Sequence, residues 1–174
     1  MQLSVHLRNR AAQRLGDVGG EARRDVSPTY AARVRRHDVS TGSRRRSLEE
    51  VCDELGYTDV NCIHGRAEEF AAKHRESFDF ATSRAVANFQ LLTELCLPLV
   101  KVGGTFIAMK SVESDEELKS AEKAISVLGG QVERTVDYQI PGTNVTHRLV
   151  FIKKIKETPK KYPRAFAKIK KNPL

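Results

Sequence analysis

From Ser47 onward the apolar positions fall into two alternating rhythms, one of helical spacing and one of short continuous runs. SLEEVCDELG places Leu48, Val51, Cys52 and Leu55 on one helical face, begins with Ser47 as candidate N-cap and Glu50 three residues later, and stops at Gly56. VNCI follows as a buried strand, HGRAEEFAAKH as a loop and short helix, and FDFATS as a second strand. A helix over roughly 87–100 turns Phe89, Leu92, Leu95, Cys96 and Leu99 inward. Gly103 and Gly104 turn the chain into the apolar strand TFIAMK, and 114–128 forms an acidic amphipathic helix ended by Gly129 and Gly130. Two last strands, about 132–140 and 147–155, flank the turn PGTN closely enough to pair antiparallel.

Strand and helix alternate and two strands close the sheet, which predicts an α/β fold: a doubly wound, mostly parallel sheet with an antiparallel carboxyl-terminal edge. In such sheets ligands bind outside the carboxyl ends of the strands. HGRAEEF, DFATSRAV and FIAMKS end side by side there, so Ala67, Glu68, Arg84 and Lys110 are expected around one cleft. A carboxylate at a strand end accepts hydrogen bonds from ribose hydroxyls or an adenine amine. Glu68 and Glu69 also suit the solvated first turn of a helix, where the dipole favours acids. Arg84 has two roles open to it, clamping a carboxylate or phosphate with its planar fork or satisfying backbone carbonyls at the corner.

Composition divides the chain. Residues 1–46 contain eleven Arg, no Lys, no Ile and no Phe; residues 47–174 contain thirteen Lys, six Arg, seven Ile and seven Phe. The first segment therefore offers little for a buried parallel strand, and reads as a basic RNA-binding arm or as a diverged or out-of-frame stretch. The expected organisation is this basic segment 1–46, a core at 47–155 and a basic tail at 156–174. The end of the chain, KKIKETPKKYPRAFAKIKKNPL, has nine Lys or Arg against one Glu, with Tyr162 and Phe166 among them, a mixture suited to phosphate contact and base stacking.

The net charge of +8 points to an acidic partner, nucleic acid ahead of a membrane. Cys52, Cys62 and Cys96 are widely spaced, which suggests neither a disulfide framework nor a zinc site. The longest apolar run, LCLPLV, is far too short to span a bilayer, and the expectation is a soluble cytoplasmic protein without metal. No nucleophile–base triad follows from the isolated Ser and His residues.

LEEVCDELG, HGRAEEFA, SRAVA, LCLPLVKVGGTFIAMK and KKYPR stand in an order and spacing through which residues 47–164 resemble the small-subunit ribosomal RNA guanine-N7 methyltransferase family, also called glucose-inhibited division protein B. The resemblance implies a class I, Rossmann-like methyltransferase fold, S-adenosyl-L-methionine as methyl donor and a guanine of bacterial 16S ribosomal RNA, alone or in the small ribosomal subunit, as acceptor. It puts Ala67 and Glu68 at the adenosine end of the cofactor, makes Arg84 a cofactor-site residue, and sets Lys110, Lys160, Lys161 and Arg164 on the RNA side. Upstream, the family's glycine-rich turn D-V-G-x-G-x-G-F-P is replaced by GDVGGEARRDVSP, so the first strands of the fold are expected to be incomplete. Asp38 lies near, but one residue out of register with, the ribose-binding acid.

Overall fold

A computed structural model describes residues 5–7, 30–32, 53–56, 63, 65–84 and 88–174, with the backbone alone described at 5–7, 30–32 and 84. The stretch GDVGGEARRDVSP, Asp38, Cys52, Cys62, His64, the strand VNCI before Ile63 and most of the helix SLEEVCDELG lie outside these residues.

Two short strands, β1 (Val5–Leu7) and β2 (Tyr30–Ala32), pair antiparallel. The main body is built from α1 (Ala67–Lys73), β3 (Phe78–Arg84), α2 (Phe89–Cys96), β4 (Val100–Ser111), α3 (Asp115–Val127), β5 (Gly130–Gln139), β6 (Thr146–Lys154) and α4 (Phe166–Lys171). The four main strands lie in the order β3-β4-β6-β5, with β3 and β4 parallel and β6 antiparallel to both its neighbours.

The last hairpin therefore does not simply extend the edge, because β6 inserts between β4 and β5. The side chains explain the choice: Val150 and Ile152 of β6 are completely buried, whereas the end of β5, with Glu133, Arg134 and Asp137, is exposed as an edge strand should be.

One face of the sheet carries the core. Ala81 and Ser83 of β3, Phe106 and Ala108 of β4, and Val150 and Ile152 of β6 are all fully buried beneath α2 and α3. Leu92 and Leu95 supply α2's contribution, each removal from water stabilising the fold by about 1.5–3 kcal/mol. Asn88 caps α2 by accepting the Leu91 N–H at 3.0 Å. The helix is shorter than its apolar spacing predicts, because Pro98 converts its end into a 3-10 turn over Leu97–Leu99.

The strand that follows is longer than predicted. Gly103 and Gly104 do not precede β4 but sit inside it, where the pairing jumps from Phe78↔Val100 to Phe80↔Thr105. Gly103 has φ +86°, and a Cβ on Gly104 would stand 2.6 Å from the Asp79 carbonyl, so this bulge needs both glycines.

At the amino edge of the strands, buried Lys154 donates to the Leu97 carbonyl at 2.8 Å and to Thr158 Oγ1 at 2.5 Å, and pairs with Glu76 at 3.0 Å. Burial pushes this ammonium's pKa down, and Glu76 opposes the shift. Arg75 donates to the carbonyls of Thr158, Pro159 and Tyr162, which straps the start of the tail to the body.

Candidate cofactor and RNA site

Chain direction decides which residues meet at the carboxyl edge. α1 runs down to the turn that enters β3, so its first residues stand level with β3's end. α2 and α3 begin just after the ends of β3 and β4. Ala67, Glu68, the Arg84 backbone and Lys110 accordingly lie toward one edge of the sheet. Arg84 is the last residue of β3 and pairs with Met109.

Ala67 is buried and its neighbour Glu68 half-buried. Glu68 Oε1 accepts the Phe166 N–H at 3.3 Å, while Oε2 is buried and has no hydrogen-bond partner. Ser83, one residue before Arg84, is completely buried with its hydroxyl equally unsatisfied. Buried polar atoms without partners are uncommon in folded proteins.

The residues expected on the RNA side divide into two kinds. Lys160 and Lys161 are exposed, with the Lys161 ammonium 5.2 Å from the centre of the Tyr162 ring. Lys110 instead pairs with Glu117 at 2.6 Å and lies 5.4 Å from the Phe89 ring. Arg164 is held by Glu94, with Nε and Nη2 at 2.8 and 2.6 Å from its two oxygens and the Arg164 N–H at 2.9 Å. The Glu94 bond raises the guanidinium's pKa further.

The tail is thus two things at once. Thr158, Tyr162 and Ile169 are buried in the body, while Lys156, Lys160, Lys161, Lys168, Lys170 and Lys171 face solvent. Sequence reasoning finds the basic residues of the tail and misses its apolar anchors. Ile169, isolated between lysines, carries too little local pattern to mark a buried position.

Also at this edge, the β5–β6 turn encloses an open depression of about 420 Å³ lined by 139–144. It holds no titratable side chain; on the flanking strands Tyr138 and His147 form a tilted ring pair 6.0 Å apart. His74 stacks on Phe70 at 4.3 Å, a packing role. Burial pushes the Cys96 thiol far up, so it remains protonated and unreactive. Among the described residues no three His, Cys, Asp or Glu are grouped to hold a metal, and no helix is long and apolar enough to cross a membrane.

The order β3-β4-β6-β5, with an antiparallel strand inserted beside the last parallel-running one, is a Rossmann-like class I methyltransferase arrangement. Of solved structures, a protein from Pyrococcus horikoshii shares the fold, with TM-score 0.50 and 12% identity over 64% of this chain and 45% of that one. The family model for rRNA small subunit methyltransferase G (GidB) matches residues 40–157, and the chain belongs to that family. The ribosomal RNA small subunit methyltransferase G of Clostridium novyi is 51% identical over 137 residues, 78% of this chain and 56% of the relative. The protein of the same name from Clostridium botulinum strain Loch Maree is 44% identical over 171 residues, 94% of this chain and 70% of the relative. The chain thus spans between about half and about seven tenths of these two relatives' lengths.

Proposed function

We propose that this chain methylates N7 of a guanine in bacterial 16S ribosomal RNA, acting in the cytoplasm on the RNA or the small ribosomal subunit with S-adenosylmethionine as donor. The family match over residues 40–157 is the observation that carries the reading.

The residues at the carboxyl edge fit the adenosine end of that donor. Glu68 Oε2 and Ser83 Oγ are buried and unsatisfied at this edge, and Ala67 is buried. Ala67 and Glu68 would hold the nucleoside, and Arg84 belongs to the same site. When bound, the donor supplies an electrophilic methyl group on a sulfonium centre.

Guanine N7 keeps an available lone pair and loses no proton before attack, so no catalytic acid or base is assigned. The chain's task is to orient the base and exclude water, and orientation alone lowers such barriers by on the order of 7–11 kcal/mol. Exposed Lys160 and Lys161 are proposed to meet phosphate directly. Lys110 and Arg164, each committed to an acidic partner, are proposed to shape the RNA-side surface.

A second reading, an RNA-binding remnant without transfer activity, is favoured by one feature of the sequence. GDVGGEARRDVSP puts Glu21, Arg23 and Arg24 where the resemblance expects glycines that let backbone approach the donor. Mass spectrometry of ribosomal RNA from a methylation-deficient strain expressing the chain separates the two, since only the first reading yields N7-methylguanosine.

A further inference from the structure

The tail leaves the amino edge at Thr158 and returns to the carboxyl edge, where both ends of α4 are pinned. At its start the Phe166 N–H donates to Glu68 Oε1 at 3.3 Å; beyond its end the Leu174 carbonyl accepts from Gln90 Nε2 at 3.0 Å. Ile169 between them is completely buried, and the Phe166 and Leu174 side chains pack against the core. Two residues before Phe166, the Arg164 fork on fully buried Glu94 fixes the entry.

This geometry bears on Glu68. One of its oxygens is tied to a backbone donor on a packed element, and the other is buried without a partner. A carboxylate fixed through one oxygen presents the second as an acceptor of defined direction, which a free side chain does not. We propose that the segment from Tyr162 to Leu174 is the adenosine-side wall of the cofactor cleft, with the Phe166 N–H as the positioning group that aims Glu68 at the donor groups of an adenine nucleoside. The inference rests on the assignment of Glu68 to the nucleoside site made above.

Two substitutions isolate the N–H. Phe166→Ala removes the ring and keeps the donor, whereas Phe166→Pro removes both. Proline is tolerated at the first position of a helix, and Ala165, at φ −57° and ψ 137°, already has the backbone favoured before proline. Calorimetric titration with S-adenosylhomocysteine should find Phe166→Pro about three- to tenfold weaker than Phe166→Ala, the size of one hydrogen bond. Equal affinities of the two variants would overturn the inference and leave the nucleoside site standing.

A second measurement needs no substitution. In the unsubstituted chain, saturation with S-adenosylhomocysteine should slow hydrogen exchange at the Phe166 amide about tenfold, because the ligand closes the wall on which that amide sits. An unchanged rate under saturation also overturns the inference. No binding by the unsubstituted chain would overturn the nucleoside site and, with it, the inference.

Discussion

The Arg164 guanidinium meets the Glu94 carboxylate as a fork on a fork, at 2.8 and 2.6 Å, and Glu94 is completely buried in the last turn of α2. With the guanidinium removed, Glu94 keeps only the Arg164 N–H, at 2.9 Å, against the desolvation of its buried charge. Arg164→Leu should therefore destabilise the fold by about 3–5 kcal/mol, and the double variant Glu94→Leu/Arg164→Leu should recover most of that stability. Urea denaturation of the two chains makes the comparison. A destabilisation below about 1 kcal/mol for the single variant would place the pair among weak surface bridges.

That pair also marks where sequence reading stops. The resemblance implies an Arg164 on the RNA side; the partner that holds its guanidinium lies 70 residues earlier, inside an apolar stripe. Glu94 interrupts LLTELC as one acid among leucines, and local periodicity contains nothing to join it to Arg164. The succession of elements from 67 to 154 is legible because each carries its own rhythm and its own stop. The insertion of β6 between β4 and β5 is not, since hairpin spacing specifies the partner strand but not the side on which the hairpin docks. Glu68 is legible as an acid in the first turn of a helix; the backbone donor that holds it comes from Phe166, 98 residues later.

Arg148 predicts an acid-side dependence of stability. Its Nε and Nη2 donate to the two oxygens of Asp137 at 2.7 and 2.8 Å, and this hydrogen bonding holds the Asp137 carboxyl below its ordinary 3.8. A carboxyl depressed in the folded state contributes stability that is complete above pH 3.8 and is lost as pH falls through the folded value. The stability difference between the parent chain and Arg148→Ala should therefore shrink below about pH 4. Denaturant midpoints at pH 7, 5 and 3 test this, and a difference that grows on acidification would contradict it.

Arg84 and Arg134 provide a contrast for the cofactor site. Arg84 ends β3 at the carboxyl edge, while Arg134 lies on edge strand β5 with its guanidinium 4.3 Å from the Phe151 ring centre. Arg84→Ala should weaken S-adenosylmethionine binding at least about tenfold, the worth of one charge-assisted hydrogen bond, and Arg134→Ala should leave it unchanged. Equal effects in calorimetric titration would remove Arg84 from the site.

The buried anchors of the tail alter how its affinity for RNA should be tested. Deleting 156–174 would strip Tyr162 and Ile169 from the core, so neutralising charge is the cleaner route. Changing Lys160, Lys161, Lys168, Lys170 and Lys171 to Gln should lessen the salt dependence of RNA binding by about 0.7 in log–log slope for each phosphate that is no longer neutralised, with the melting temperature unchanged. An unaltered slope would make these lysines bystanders.

The central claim is methyl transfer to ribosomal guanine, and the most direct measurement is the N7-methylguanosine content of 16S ribosomal RNA from a methylation-deficient strain. Two chains are compared: this one, and one in which a family-type glycine-rich segment replaces residues 1–46. The resemblance expects glycines where the sequence has Glu21, Arg23 and Arg24, and misplacement of the donor costing about 4 kcal/mol slows transfer roughly a thousandfold. The account predicts sparse N7-methylguanosine from the present chain and near-complete modification from the grafted one. No N7-methylguanosine from the present chain, whatever the grafted one yields, would contradict it.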